Sequence, residues 1–540
     1  MHMNYLPKSL MLLFLGFLLF GLVLPASAEQ QADFESALQL LQEKNFDTKS
    51  EAITKIVASG HPNARAVLAA MLEGDLFTRK KEKDLVIAVK EGREQRITAV
   101  LTGENLGLVK KRSLKKVSVN NQLRGQLRSA LALLNLDNPD PGERLTAVGE
   151  MLDSIDAESA ALLRDALAKE SDADVREAME LGIALGEVVS KDPAIRLRAI
   201  EVLDGHLHPS AFNRLTTLVE QEEDEDVRRA ARAALNSIDL KRQFSSIAET
   251  LFFGLSLGSV LVLAAIGLAI TFGVMGVINM AHGELIMLGA YTTYLLQVVM
   301  PEYPGIALLL SIPVAFLVSG GVGVLIERGV IRFLYGRPLE TLLATFGISL
   351  ILQQLVRVVI SPQNVPVSNP SWMSGSIEIN SVLSLTWNRL YIIVFSLMVF
   401  AALFMILKKT ALGLQVRAVA QNRAMARAMG VRSERVDALT FGLGSGIAGI
   451  AGVALSQLTN VGPNLGQSYI IDSFMVVVFG GVGNLWGTLV AGMTLGVANK
   501  IMEPWAGAVL AKILVLVFII LFIQKRPRGL FPQKGRAAEG

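Results

Sequence analysis

The sequence predicts an all-α protein in two parts, a mostly helical, HEAT-like domain outside the cytoplasm followed by a polytopic helical membrane domain. Three observations carry this reading. The 540-residue chain is 51% apolar with a mean hydropathy of +0.46, which is greasy for a water-soluble protein of its size. The excess is uneven: residues 29–244 are rich in Glu, Lys, Asp and Arg, whereas long uncharged runs recur from about 250 to 523. The N-terminus has the three-part pattern of a secretory signal, with Lys8, an uncharged run from Leu10 to Leu24, and small residues Ala26, Ser27 and Ala28 after Pro25.

That run of 15 residues is short for a membrane span, which needs roughly 20. Residues 1–28 therefore read as a cleavable signal, with a retained anchor as the alternative. Either places residue 30 onward outside the cytoplasm. A net charge of +3, with no dense basic block interleaved with aromatics, argues against nucleic acid as a partner. The chain has no cysteine, so disulfides, thiolate nucleophiles and Cys-based metal sites are excluded.

Between residues 29 and 244 apolar residues recur at three and four. Phe34, Leu38 and Leu41 share one face, as do Ile53, Ile56 and Val57. Around KDLVIAVKEGREQRITAV the pattern loosens and alternates, a short break of strand character, and Pro139 to Gly142 mark a turn. Further on, SDADVREAMELGIAL, KDPAIRLRAIEVL and DEDVRRAARAALNSI each pair an acidic start with an aliphatic residue and Arg: Val175 and Arg176, Ile195 and Arg196, Val227 and Arg228. Acids suit a helix N-terminus, and the units resemble HEAT-type repeats at spacings of 20 and 32 residues. A generic helical bundle is the alternative.

Residues 245–530 form the membrane domain, beginning with a run uncharged from Leu251 to Asn279. Other apolar stretches lie near 305–326, 341–360, 389–407, 438–458, 470–503 and 508–523. Lys408, Lys409, Arg417, Arg423, Arg427, Arg432 and Arg435, with Arg328, Arg332 and Arg337, mark cytoplasmic loops, whereas residues 361–388 contain no Lys or Arg and read as external. An outside start and the inside tail, residues 531–540, require an odd number of crossings. Nine are favoured over eight, with 470–503 turning at Gly483 and Asn484. The glycine-rich stretches FGLGSGIAGIAGVAL and FGGVGNLWGTLVAGMTLG fit broken helices around a pathway, or close helix packing without one.

In NMAHGELIMLGAY, His282 and Glu284 stand in apolar surroundings, where a buried carboxylate is costly unless paired or lining a polar cavity. They lie about 200° apart on a continuous helix, so presenting both together needs an interruption near Gly283. The alternative has Glu284 capping the following span. No metal site is expected: His206 and His208 have no third ligand nearby. Without a phosphate-binding Gly-rich loop ending in Lys and Ser/Thr, no nucleotide site or cofactor is expected, and any ATP-driven work must use separate subunits. The loop following Thr410 is Ala-rich and helical in propensity, with Arg423 and Arg427 four apart and Gly430 as its stop. It reads as a docking helix or an anchor on the membrane surface.

NMAHGELIMLGAYTTYLL, GRPLETLLATFGISLILQQ, QVRAVAQNRAMARAMG and VGPNLGQSYIIDSFMVVVFGGVGNLWGTLVAG, in that order, resemble the permeases of the branched-chain amino-acid ABC transporter family over roughly residues 248–530. TFGVMGVINMAHGELIMLGAY and GGVGNLWGTLVAG look most like its urea-transport branch. The resemblance implies a permease subunit in a bacterial inner membrane, itself no enzyme, paired with a sister permease, two cytoplasmic ATPase subunits and a periplasmic solute-binding protein. It implies that Ala420, Arg423, Arg427 and Gly430 belong to the ATPase-coupling loop and that the NMAHGE block lines or braces the pathway. Candidate pathway groups are Asn279, His282, Glu284, Thr345, Ser349, Gln353, Asn460, Asn464 and Asn484. Branched-chain amino acids or another small amide are the alternative cargo, and a membrane-anchored scaffold working through its external helices is the alternative outside transport. Plain family permeases begin near the first span, so the N-terminal domain in the periplasm departs from the pattern.

Overall fold

The computed structural model describes residues 24–532 apart from 92, 93 and 154. Most of the expected signal segment, and the tail beyond residue 532, lie outside the described residues. The chain divides into two compact units, residues 1–241 and 242–540.

The first unit opens with α1 (Leu24–Leu40), α2 (Phe46–Ala58) and α3 (Ala64–Glu73). The Asn45 side chain accepts the Asp47 N–H to start α2, and Gly74, at φ 84°, stops α3. Phe34, Leu38, Leu41, Ile53 and Ile56 are buried together as their spacing requires.

An antiparallel sheet follows, which corrects the all-α expectation. β1 (Leu76–Arg79), β2 (Leu85–Glu91), β3 (Glu94–Ala99), β4 (Asn105–Val109) and β5 (Leu114–Lys116) lie in the order β4-β3-β2-β1-β5. Leu76 and Leu85 join the helical core on one face, while Phe77, Val86, Ala88, Ile97 and Leu114 pack together on the other. The alternation near LVIAV was the visible part of this sheet. β1 and β5 are only four and three residues long, too short for a period to stand out.

Six helices then lead toward the second unit: α4 (Asn121–Asn135), α5 (Pro141–Met151), α6 (Ala157–Leu167), α7 (Ala173–Glu187), α8 (Pro193–Leu203) and α9 (Pro209–Gln221). They are not HEAT-like, and the reason is a different period. Asp140 and Asp192 cap α5 and α8, each ahead of a proline at the first turn. Arg144 pairs with Glu170 at 2.7 Å and Arg196 with Glu222 at 2.8 Å. Arg144 also donates to the carbonyls of Asn138 and Pro139, and Arg196 to those of Ser190 and Lys191. Every residue of the second set follows its counterpart by 52 residues. The block is three helices long, so Ile195 corresponds to Glu143 rather than to Val175. Val175 and Val227 are fully buried, whereas Ile195 is half-buried.

α10 (Glu225–Met275) starts in the first unit and ends in the second. After it come α11 (His282–Val299), α12 (Pro304–Gly329), α13 (Pro338–Val359), a small hairpin of β6 (Ser376–Glu378) and β7 (Ser384–Thr386), α14 (Trp387–Lys409), α15 (Ala411–Gln421), α16 (Arg423–Ala428), α17 (Ser433–Ser456), α18 (Leu465–Gly480) and α19 (Leu485–Lys525). Among the described residues, six helices are long and apolar enough to cross a membrane: α10, α12 with the turn after it, α13, α14, α17 and α19. Nine crossings would need α11, the 16-residue α18 and both limbs of α19 to cross as well. α19 is broken at Gly507, just past Pro504.

Glycine explains how these helices meet. A Cβ on Gly444 would overlap the Gly267 carbonyl of α10, one on Gly449 the Ala315 carbonyl of α12, and one on Gly452 the Ile286 carbonyl of α11. α17 is therefore gripped on three sides at backbone distance, the use of small residues typical of membrane helices. The glycines between α18 and α19 act differently: Gly481 and Gly483 have φ of 104° and 78° and make the turn there.

Candidate functional site

α10 ends at Met275, and α11 starts only at His282. Gly276, at φ 67°, turns the chain out of the helix, and Asn279 shapes the return by accepting the Ala281 N–H at 3.0 Å. The interruption thus precedes Gly283 instead of coinciding with it, and His282 and Glu284 sit on one continuous helix. They face different neighbours. His282 Nε2 lies 2.8 Å from the Ala264 carbonyl of α10. Glu284 Oε1 accepts from Ser349 Oγ and Gln353 Nε2 of α13, both at 2.6 Å.

α13 supplies a polar stripe at four-residue spacing. Thr341, Thr345, Ser349 and Gln353 are its buried face, and Thr345 Oγ1 accepts the Met280 N–H at 3.1 Å. One face of α13 therefore holds both the unwound segment and the acid after it. Among the described residues, Ser349 and Gln353 are the polar side chains acting on Glu284, and no Lys or Arg is paired with it. Several buried polar atoms around the break have no hydrogen-bond partner: Asn279 Nδ2, His282 Nδ1, Glu284 Oε2 and, two turns along α11, the Tyr291 hydroxyl. Such atoms are costly in a membrane interior unless something visits them. Gly283 and Gly466 bring the starts of α11 and α18 together, and a Cβ on Gly466 would strike Glu284 Oε2. Two helix N-termini and an unpartnered carboxylate oxygen are so brought together, the kind of arrangement broken membrane helices offer a polar solute.

Five of the sequence candidates, Asn279, Glu284, Thr345, Ser349 and Gln353, are brought together here, with His282 on the far face of the same helix. Three are elsewhere. Asn460 is exposed, exposed Asn464 accepts from Arg357 Nη2 at 2.7 Å, and Asn484 caps α19 through the Gly487 N–H. Sequence reasoning missed Tyr291 and the pair of Asp472 on α18 with Lys512 on α19, 3.2 Å apart. A lone acid in YIIDSFMVVV and a lone Lys in VLAKILVLV were the signal for that pair.

A family model described as branched-chain amino acid transport system, permease component, matches residues 250–523, half of the chain. The chain belongs to that family. Among its relatives, LivH of Salmonella typhimurium, a high-affinity branched-chain amino acid transport system permease protein, is 29% identical over 300 residues, 54% of this chain and 97% of LivH. BraD of Pseudomonas aeruginosa, described in the same words, is 29% identical over 291 residues, 52% of this chain and 94% of its own. RbsC of Haemophilus influenzae, a ribose import permease protein, is 24% identical over 258 residues, 45% of this chain and 74% of its own. No solved structure matches the chain. This permease is a multi-pass membrane transport component and not an enzyme.

The permease's loop between α14 and α17 is two helices, α15 and α16, meeting at Asn422, whose side chain caps α16 through the Met425 N–H. Gly430, at φ 87°, closes it. Arg423 turns inward, bidentate to Asp437 at 2.7 and 2.8 Å with its guanidinium 3.8 Å over the Tyr335 ring. Arg427 Nε donates to Ser433 Oγ at 2.6 Å, and half-buried Ala420 lines a cavity of about 300 Å³ beside Arg417 and Gly273. Met425 and Met429 face out, 60% and 78% exposed, beside exposed Gln421 and Arg427.

Proposed function

We propose that this chain is the permease subunit of an ABC importer for urea or a closely similar neutral amide, with its N-terminal domain on the periplasmic side of a bacterial inner membrane. The observation that carries the solute class is the cluster around Glu284. It offers an unpartnered carboxylate oxygen, an amide N–H of Asn279 and neutral hydroxyls, and among the described residues no Lys or Arg paired with the acid. A neutral molecule with N–H donors and a carbonyl finds an acceptor in Glu284 Oε2 and a donor in Asn279 Nδ2 there. A zwitterionic amino acid would also need a partner for its own carboxylate.

A sister permease, two cytoplasmic ATPase subunits and a periplasmic solute-binding protein complete the machine in this reading. The ATPase contact falls on exposed Met425 and Met429, presented by α16, while Arg423 and Arg427 hold that helix to α17. ATPase closure would move α15 and α16, and with them the end of α17.

One observation favours the other cargo. Arg357 lies one turn beyond Gln353 on α13, half-buried and donating to Asn464, where it could meet the carboxylate of a branched-chain amino acid. Uptake of labelled urea and labelled leucine, in cells carrying the complete transporter with wild-type or Glu284→Gln permease, separates the two. Urea uptake lost in the variant at normal membrane levels supports the first reading, whereas leucine uptake, lost on Arg357→Ala, replaces it with the second.

A further inference from the structure

Away from the Glu284 cluster, α12, α14 and α17 leave between them an apolar cavity of about 180 Å³, several times the roughly 30 Å³ share of one water. Ile312, Phe395 and Val453 form its walls, and Leu309, Val394 and Met398 stand at its rim, 60%, 53% and 59% exposed. These rim residues belong to α12 and α14, spans whose apolar surfaces are mostly uncovered by the rest of the chain. In a bilayer, the cavity opens sideways into hydrocarbon.

One buried polar side chain looks into this space. Gln457 follows the end of α17, lines the cavity and is only 4% exposed. Its Nε2 donates to Ser456 Oγ at 3.1 Å, and Ser456 Oγ donates in turn to the Val453 carbonyl at 2.7 Å. The Ser456 hydroxyl hydrogen is thus used, so the Gln457 amide must turn its N–H toward that oxygen. Gln457 Oε1 is left buried without a partner. Trp372 and Tyr391, stacked edge to face at 5.0 Å, flank the same cavity and are 44% and 39% exposed. Trp and Tyr gather where hydrocarbon meets headgroups, which puts this end of the cavity at the membrane surface.

We propose that the cavity is a lipid site: it takes an acyl chain of a glycerophospholipid whose headgroup carries an N–H donor, and Gln457 Oε1 accepts that hydrogen bond. The apolar walls admit hydrocarbon, the lateral opening faces its source, and the unfilled acceptor sits at headgroup level. A choline headgroup, which has no N–H or O–H, leaves the acceptor empty. The inference rests on these helices lying in a bilayer and is independent of the transported solute.

The test uses the complete transporter in nanodiscs, with a phosphatidylethanolamine probe carrying a diazirine on one acyl chain and a phosphatidylcholine probe with the same chain. After photolysis, labelling is read on residues 305–316 and 391–398, and on 513–521 of α19 as a lipid-exposed control. The ethanolamine probe should label the cavity segments about five-fold more than the choline probe, the factor one hydrogen bond supplies, and Gln457→Leu should abolish that preference. Ala454→Phe, which fills the cavity, should reduce labelling there and leave the control unchanged. Val394→Trp at the exposed rim repeats the block in a position that tolerates bulk. Equal labelling by both probes, cavity labelling no higher than the control, or labelling indifferent to both blocking variants would overturn the proposal. So would crosslinks from cavity residues to the sister permease in place of lipid.

Discussion

α11 is held in two different ways on its two sides. Toward α17 its contact is shape: Gly289 and Ile286 meet Gly449 and Gly452 at backbone distance, leaving no room for a side chain. Toward α13 it shares one apolar cluster through Val356, with Met287 and Tyr291, and is otherwise met by a handful of hydrogen bonds, from Ser349 and Gln353 to Glu284 and between Thr345 and the Met280 N–H, while α13 exposes Leu339, Leu343 and Ile351. Close packing has one solution, because a backbone seam cannot slide without overlap. A hydrogen-bonded seam can exchange partners with a solute at little net cost. On the proposed reading, the first fixes the scaffold and the second is where access would alternate.

The sharpest way to break that contrast is to put bulk in the glycine seam. Gly449→Leu should cost ~3 kcal/mol or more, the upper range for overpacking, and show as loss of folded permease from the membrane on detergent size-exclusion profiles. A normally folded variant would mean that the seam is not rigid.

Next in size are changes to the acid. Glu284→Gln keeps the shape and should lower uptake roughly ten-fold or more through a lost charge-assisted bond, at wild-type membrane levels. If uptake survives but the protein level falls, Glu284 is a structural brace and the contrast between the two faces disappears.

The loop helices extend the comparison. Arg423→Glu would leave Asp437, 5% exposed, facing a like charge, so it should reduce thermal stability by about 3 kcal/mol. Met425→Asp with Met429→Asp should leave stability unchanged and reduce solute-stimulated ATP hydrolysis by the assembled transporter. The opposite pattern would return the ATPase contact to the arginines.

Ser349→Ala is expected to be milder, since hydrogen bonds between membrane helices are worth ~0.6 kcal/mol on average and up to about 1.7. A two- to five-fold decrease in apparent affinity, without loss of folded protein, is the expected outcome in uptake titrations.

The smallest effect concerns the first unit. Hydrogen bonds from Arg144, and then from the Asp172 and Ser171 N–H groups, hold the Glu170 carboxyl down at about 2, from an ordinary 4.5. Its charged form is favoured by folding, so the contribution is fully present above pH 4.5 and is lost as pH falls toward 2. Thermal melts of the full chain should weaken over that window, and Glu170→Gln should flatten the dependence.

Much of this was legible in the sequence, because the physics that writes it is periodic. Buried Phe34, Leu38 and Leu41 recur at helical spacing, and Thr345, Ser349 and Gln353 recur at four. What Glu284 faces was not legible, since its partners are 65 and 69 residues away. The inward turn of Arg423 was hidden for the same reason: Asp437 begins to matter only once α16 folds back on α17. The sheet was half visible, in the alternation of β2 and β3, but its two outer partners on the other side are too short to announce themselves. The repeat was misread because similar helix starts, Val175 and Ile195, occupy different places within one block.

The 52-residue period is also the pattern a tandem duplication would leave. Caps, prolines and the Arg144 and Arg196 contacts recur at the same offsets, while most exposed positions between them have drifted. A segment copied end to end leaves that trace. Excising residues 140–191 would place Asp192, Pro193 and Arg196 directly after Pro139, in the stations that Asp140, Pro141 and Arg144 occupy. Natural variation in the length of this domain is therefore expected to come in whole blocks, and partial deletions to be eliminated.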